Sequence, residues 1–172
     1  MAKFSKGFST IELLITLAIT LCTLLIVAPY INQPLEKNRA TAYADTVKSA
    51  LKFARVSAIT LGEPVTFCGS KTAKTCDGDD AWNYGSIVVA IESGKVWRLL
   101  PKPATGVKLR LNASRGKNNK VDFLPTGFTD GQQQGSFFYC PQNPADAKKI
   151  VFLPTGRVRI ENLKQAEQAL CE

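Results

Sequence analysis

Histidine is absent from this 172-residue chain, and no two of its five cysteines form a Cys-x-x-Cys pair. The first absence removes the commonest general base, the histidine-activated serine and cysteine nucleophiles, and the commonest zinc ligand. The second disfavours a zinc ribbon. The acidic turn at residues 77–80, DGDD, lacks the remaining ligands of a calcium-binding EF-hand loop. We therefore expect neither an enzyme nor a metal or cofactor site.

Acidic residues are scarce in the second half of the chain. Residues 95–172 carry 13 Lys and Arg against 6 Asp and Glu, whereas residues 8–94 carry 7 against 8. Such asymmetry favours a polyanionic partner, whether nucleic acid, anionic lipid or an acidic protein surface. A basic surface that only keeps the protein soluble is the alternative, and charge alone does not decide between the two.

Five of the eight cations of residues 95–120 lie in a predicted strand and a predicted turn. In the segment VKLRL, Lys108 and Arg110 alternate with apolar residues, so both project from one face of a strand. Arg115 and Lys117 follow in the segment RGKNNK, whose composition predicts an exposed turn. We expect the strand face and the turn to share one positive surface.

Residues 13–28 form an apolar run without a charged residue, which as an α-helix rises about 24 Å, slightly short of a bilayer core unless residues 8–12 extend it. A basic leader that ends at Gly7 precedes the run. Its far end reads IVAPYINQP, a poor cleavage context for signal peptidase because of the prolines and the large Tyr30. We therefore expect a membrane-spanning helix that is retained.

The junction Gly7-Phe8, followed by Glu12, resembles the type IV prepilin signature. The resemblance implies that prepilin peptidase cleaves after Gly7 and that the new amine of Phe8 is methylated. An unpaired carboxylate at the bilayer centre costs about 3 kcal/mol. The resemblance supplies a partner for Glu12, the free amine of Phe8 in a neighbouring subunit, and this pairing would set the register of filament assembly. The alternative is that Glu12 snorkels to the membrane surface.

Residues 35–61 predict a continuation of the helix, because apolar side chains recur there every 3.6 residues until Gly62 and Pro64 end the pattern. Short strands follow. The fold class is therefore α+β, and the resemblance implies the type IV pilin fold, a long N-terminal membrane-anchored helix packed on an antiparallel β-sheet head. The expected segments are a leader at 1–7, a transmembrane and filament-core helix at 8–34 and a periplasmic head at 35–172, itself divided into a helix (35–61) and a β-sheet region (62–172).

Four cysteines lie in the expected head, and in an oxidising compartment their thiols form disulfides. Three connectivities are possible. We predict that Cys68 pairs with Cys76 and closes a short loop, and that Cys140 pairs with Cys171 and ties down the C-terminus. The second pair resembles the C-terminal loop of pilins. Free thiols are the alternative, and Cys22 is expected to act as a small apolar residue in the membrane run.

Two similar segments, KVDFLPTGFT at 120–129 and KIVFLPTGRV at 149–158, each predict a hairpin with a Pro-Thr-Gly turn. The second contains Gly156-Arg157-Val158-Arg159, which resembles the C-terminal GRxR element of FimT-type DNA-binding minor pilins. Trp82 and Gly85 similarly resemble the Trp-Gly element of the FimT/GspH group. Arginines two apart on a strand leave the same face, and guanidinium groups bind phosphates bidentately.

The resemblance implies a minor pilin of a type IV pilus that binds extracellular double-stranded DNA without sequence specificity, for uptake during natural transformation. The implied partners are DNA, the major and minor pilin subunits, the inner membrane and prepilin peptidase; the head is periplasmic before assembly and on the pilus or cell surface afterwards. The alternative is a structural minor pilin or a GspH-like type II secretion pseudopilin, whose cations face other subunits. The candidate DNA-binding residues are Arg157, Arg159, Gly156, Lys148, Lys149, Lys108, Arg110, Arg115 and Lys117.

Overall fold

The computed structural model describes residues 9–114 and 119–171, without the side chains of residues 26–34, 79–80 and 165–166. Two pairs of candidate residues lie outside the described residues. These are the leader junction, Gly7 and Phe8, and the turn cations, Arg115 and Lys117.

One α-helix, α1, runs from Thr10 to Leu61, with Glu12 in its first turn. The chain divides into two compact units, Met1–Asn38 and Arg39–Glu172, and α1 contributes to both. In the first unit the described apolar side chains, such as Leu14 and Leu25, are exposed. Hydroxyls in the same stretch donate hydrogen bonds to backbone carbonyls three or four residues earlier, which satisfies them within the helix; the donors are Thr16, Thr20 and Thr23.

Among the described residues of this helix, no stretch reaches both the length and the mean hydropathy of a membrane span.

The second unit contains, among its described residues, eight strands in two antiparallel four-stranded sheets. The first sheet has the order β3-β2-β1-β5 and the second the order β4-β6-β7-β8. The strands are β1 (Val65–Gly69), β2 (Ser86–Ala90), β3 (Val96–Leu100), β4 (Lys108–Ala113), β5 (Lys120–Phe123), β6 (Gly135–Cys140), β7 (Lys148–Phe152) and β8 (Val158–Asn162).

The core of this unit lies between the distal half of α1 and the sheets. The helix contributes a stripe of fully buried side chains at helical spacing, mostly alanines, so its backbone can approach the sheets closely. This stripe comprises Ala40, Ala44, Val47, Ala50, Leu51, Ala54 and Ala58. Gly62, with φ of 72°, then ends the helix, and its N–H donates to the carbonyl of Ala58. The predicted amphipathic helix is therefore present.

Four buried aromatic side chains fill the centre of the core. The ring of Phe137 lies 4.9 Å from that of Trp82, 5.7 Å from that of Phe67 and 6.1 Å from that of Phe152, measured between centroids. Trp82 sits in a short 3-10 helix, Asp79–Asn83, and is almost fully buried. The tryptophan of the Trp-Gly element thus has a packing role.

The two similar segments form different structures. The second segment makes the β7–β8 hairpin, as predicted. The first makes β5, which pairs with β1, and its return segment contributes a single bridge between Phe123 and Thr129. The predicted second hairpin is therefore incomplete, because Thr129 bonds elsewhere: its N–H donates to Pro154 and its hydroxyl to Gln133, both at the backbone carbonyl.

Two disulfides join the described head cysteines, Cys68 with Cys76 and Cys140 with Cys171. These are the pairs favoured from the sequence. The first closes the loop after β1, and the second ties the C-terminal 3-10 helix, Gln165–Cys171, to the end of β6. Cys22 is a free, exposed thiol on α1.

Candidate nucleic-acid interface

The turn between β7 and β8 presents the GRxR residues. Gly156 donates its N–H to the carbonyl of Leu153 at 2.9 Å, and Leu153 donates to the carbonyl of Arg157 at 3.0 Å. Gly156 has φ of 74°, in the left-handed region that favours glycine. A Cβ at this position would lie 2.5 Å from the carbonyl oxygen of Gly127 and 2.5 Å from Nε of Arg55. The glycine of the motif is therefore required by packing.

Arg55 of α1 connects the helix to the turns of both similar segments. Its Nε donates to the carbonyl oxygen of Gly127 at 2.9 Å, and its side chain lies against Gly156. The turns are also bonded to each other, since the N–H of Thr129 donates to the carbonyl of Pro154 at 2.9 Å. The helix and the two Pro-Thr-Gly turns thus meet at Arg55.

An open cleft of about 590 Å³ lies between α1 and the β7–β8 turn, and we refer to it as the α1–turn cleft. Among the described residues, three cations line it and no acidic residue does. Lys52 and Arg157 are exposed, and Arg55 is half-buried. The described lining is Lys52, Arg55, Val56, Thr155, Gly156, Arg157 and Val158.

The candidate residues predicted from the sequence do not include Lys52 and Arg55. Their spacing of three residues places them on one helix face. That spacing was visible in the sequence, but the position of the β7–β8 turn beside α1 was not.

A second group of cations shares the outer face of the β4-β6-β7-β8 sheet. Residues paired across antiparallel strands project to the same face. The register aligns Arg110 with Phe138 and Phe138 with Lys149, and it aligns Val151 with Arg159. We call this surface the basic sheet face; its cations are Lys108, Arg110, Lys149 and Arg159.

Lys148 departs from this group. It precedes Lys149 on β7 and therefore projects to the opposite face of the sheet, where its Nζ donates to Oδ1 of Asn162 at 2.8 Å. The structure thus separates Lys148 from the cations of the basic sheet face.

Much of the charge on the basic sheet face is compensated by the chain itself. Lys149 forms a hydrogen-bonded ion pair with Glu167, and Nε of Arg159 donates to Glu161 on its own strand. Nη1 of Arg110 donates to the carbonyl of Leu170 at 3.3 Å. Both Glu167 and Leu170 belong to the C-terminal 3-10 helix, which the Cys140–Cys171 disulfide holds against this sheet.

The pairing with Lys149 depends on pH. The hydrogen bond from Lys149 is the main cause that holds the pKa of the Glu167 carboxyl below its usual range. Because the folded-state pKa is lowered, the stability from this pair is fully present above the pKa of an unfolded glutamate. It is lost as the pH falls through the lowered folded-state value.

The acidic turn near residue 77 has a structural role. The carboxylate of Asp77 accepts hydrogen bonds from the N–H of Lys71 at 2.7 Å and the hydroxyl of Thr75 at 2.8 Å. These bonds, led by that from Lys71, lower the pKa of Asp77. Among the described residues, no three Cys, Asp or Glu side chains are grouped to hold a metal ion. Asp77 instead orders the loop that the Cys68–Cys76 disulfide closes.

The long N-terminal helix and the two antiparallel sheets define an α+β pilin-like fold. The chain belongs to the GspH family, since the family model for the type II transport protein GspH matches residues 43–159. It is therefore a minor pilin or pseudopilin of a type IV pilus or a type II secretion system, and such proteins assemble with other pilin subunits in filaments.

Solved structures share the fold at low sequence identity. The type IV minor pilin FimU of Pseudomonas aeruginosa is 17% identical, with a TM-score of 0.58 over 73% of this chain and 90% of that chain. The minor pseudopilin EpsH of the Vibrio cholerae type II secretion system is 14% identical, with a TM-score of 0.52 over 75% and 97%. No curated protein sequence matches the chain significantly.

Proposed function

We propose that this protein is a membrane-anchored minor pilin of a type IV pilus whose head binds double-stranded DNA for uptake. The observation that carries the proposal is the α1–turn cleft, which Arg157 of the GRxR element lines together with Lys52 and Arg55. No carboxylate is among the described lining residues. Uncompensated cations that converge on one open cleft favour a polyanion.

The anchor in this proposal is the apolar N-terminal region. Prepilin peptidase cleaves the leader, residues 1–7, and methylates the amine of Phe8. The helix of residues 8–34 then resides in the inner membrane before assembly and in the filament core afterwards. The position of Glu12 in the first turn of α1 supports its pairing with the amine of a neighbouring subunit.

Contacts to DNA in this proposal are made to the phosphate backbone. The cations lie on a turn, on strands and on the side of a packed helix, so no free helix among the described elements enters a groove to read bases. Lys108 and Arg159, which are exposed on the basic sheet face, are further candidate phosphate contacts. A few phosphate contacts by one head give affinities near about 10⁻⁴ to 10⁻⁶ M at physiological salt.

The alternative is a structural subunit of a type IV pilus or a type II secretion pseudopilus. The ion pairs Lys149–Glu167 and Arg159–Glu161 favour it, because they satisfy cations without any outside partner. In that case the remaining exposed cations face other pilin subunits.

A salt series separates the two functions. The full chain in nonionic detergent is titrated with a fluorescent 30-base-pair duplex, as wild type and as the double variant Arg157→Ala, Arg159→Ala. We expect salt-sensitive binding by the wild type, and a loss of about tenfold in affinity with a shallower salt dependence in the variant, because two phosphate contacts are removed.

The matched control is Lys71→Ala, Lys74→Ala, which removes the same charge from the exposed loop after β1. It is expected to bind within about twofold of wild type, since it changes only the long-range field. Equal losses of duplex affinity in the two double variants would mean that binding depends on net charge alone. If the wild type does not bind the duplex at low salt, the structural alternative is favoured.

A further inference from the structure

We propose that the α1–turn cleft is a phosphate-binding site, in which Lys52 and Arg55 of α1 act together with Arg157 on one phosphate of the DNA backbone. This inference rests on the proposed function and assigns part of the DNA contact to the helix. It adds two residues to the site that lie about 100 positions before the GRxR element in the sequence.

Arg55 is held in position for this role. Its Nε donates to the carbonyl oxygen of Gly127, and a half-buried guanidinium with one anchored nitrogen has few other orientations. Its two Nη nitrogens have no acceptor among the described residues. Four N–H donors therefore remain in a fixed plane, which is the arrangement that binds two phosphate oxygens at once. Little side-chain entropy is lost on binding, because the turn has already ordered the side chain.

The surrounding residues favour an anion over a neutral ligand. Lys52 lies three residues before Arg55 on the same helix face, and Arg157 reaches the cleft from the β7–β8 turn. Thr155 also lines the cleft, and a threonine hydroxyl can donate a further hydrogen bond. With no carboxylate in the described lining, the mutual repulsion of the three cations is relieved when a phosphate enters.

The α1–turn cleft and the basic sheet face differ in whether carboxylates of the same chain pair with their cations. On the basic sheet face, Lys149 and Arg159 each have a carboxylate from the same chain, so an incoming phosphate must compete with Glu167 or Glu161. In the cleft, where no carboxylate is among the described lining residues, the phosphate competes with water. The cleft is also open to solvent and large enough, at about 590 Å³, for a phosphate with its adjacent sugars. We therefore expect the cleft to carry more of the affinity than the sheet face.

The test uses Lys52, which is exposed and whose replacement leaves the Arg55 anchor intact. The full chain in detergent is titrated with the 30-base-pair duplex as wild type, Lys52→Ala and Lys48→Ala. Lys48 is one helical turn from Lys52 and outside the cleft lining, so the two variants lose the same charge from the same helix.

We expect Lys52→Ala to weaken duplex binding by about threefold to tenfold and to reduce the salt slope by about one, as for the loss of one phosphate contact. Lys48→Ala is expected to stay within about twofold of wild type. If the wild type binds the duplex and Lys52→Ala binds it as tightly as Lys48→Ala does, the cleft assignment is wrong, whereas the proposed function still stands. A wild type that does not bind the duplex overturns both.

Arg55→Lys provides a second, independent measurement. It keeps the charge but removes the planar fork, so duplex affinity is expected to fall by about threefold or more. A thermal unfolding curve for each variant shows whether the head remains folded. Folded Arg55→Lys protein with wild-type affinity contradicts bidentate binding by Arg55.

Discussion

Replacement of Gly156 by alanine is expected to lower the free energy of unfolding of the head by about 2 to 6 kcal/mol. A non-glycine residue in the left-handed region costs about 1 to 3 kcal/mol. The new Cβ would also lie 2.5 Å from the carbonyl oxygen of Gly127 and 2.5 Å from Nε of Arg55. Relief of this overlap requires the two turns to separate, at a further cost of about 1 to 3 kcal/mol. Urea unfolding followed by the fluorescence of buried Trp82 measures the change.

Gly94→Ala is the matched control for the conformational part of this cost. Gly94 has φ of 64°, close to that of Gly156, but a Cβ added there would have no described atom within 4 Å. Its replacement is therefore expected to cost only this conformational part, about 1 to 3 kcal/mol. If both alanine variants lose the same stability, the packing of the two Pro-Thr-Gly turns around Arg55 does not require glycine at position 156.

Removal of the Cys140–Cys171 disulfide is expected to cost about 3 to 4 kcal/mol of unfolding free energy, measured for the double variant Cys140→Ser, Cys171→Ser. The bond joins residues 31 apart in sequence, so it restricts the unfolded chain over a long loop. The C-terminal 3-10 helix is also expected to leave the basic sheet face. Trypsin then cleaves after the exposed Lys164 within minutes, whereas the wild-type head resists cleavage there.

The Cys68–Cys76 disulfide provides the comparison, because it joins residues only 8 apart. Loss of the disulfide that closes this shorter loop is expected to lower the free energy of unfolding by about 2.5 kcal/mol, about 1 kcal/mol less than loss of the Cys140–Cys171 disulfide. It should leave the Lys164 site protected. Wild-type stability and tryptic resistance in the Cys140→Ser, Cys171→Ser variant would mean that the tail is held by its polar contacts alone.

The sequence predicted those parts of the fold that depend on local periodicity. The stripe of alanines in α1 has helical spacing, and Gly62 supplies the left-handed residue that ends the helix. Strand β3, Val96–Leu100, has a local pattern of this kind, because four of its five residues are β-branched or large and apolar and a glycine-bearing turn precedes it. The first Pro-Thr-Gly segment shows the limit of this reasoning. In its return segment, Thr129 donates hydrogen bonds to the carbonyl of Pro154 in the second turn, 25 residues further along the chain.

The candidate site was predicted only where it depends on local sequence pattern. The faces of Lys108, Arg110 and Arg159 follow from strand alternation, which is local. Their partners do not, since the ion pair between Lys149 and Glu167 depends on where the C-terminal tail crosses the sheet. Lys120, counted among the cations of residues 95–120, is likewise paired with Asp122 at 2.9 Å. Charge counted along the chain therefore overestimates the charge available to a ligand.

The most direct test of the proposed function is made in the organism of origin, with the chromosomal copy replaced by the variant Arg157→Ala, Arg159→Ala. Pilus number and natural transformation frequency are measured together in the same strain. We expect a normal number of pili and a transformation frequency that falls about tenfold or more, in step with the lost phosphate contacts. Loss of pili or of type II secretion in this strain would contradict a DNA receptor and assign these arginines to contacts between pilin subunits.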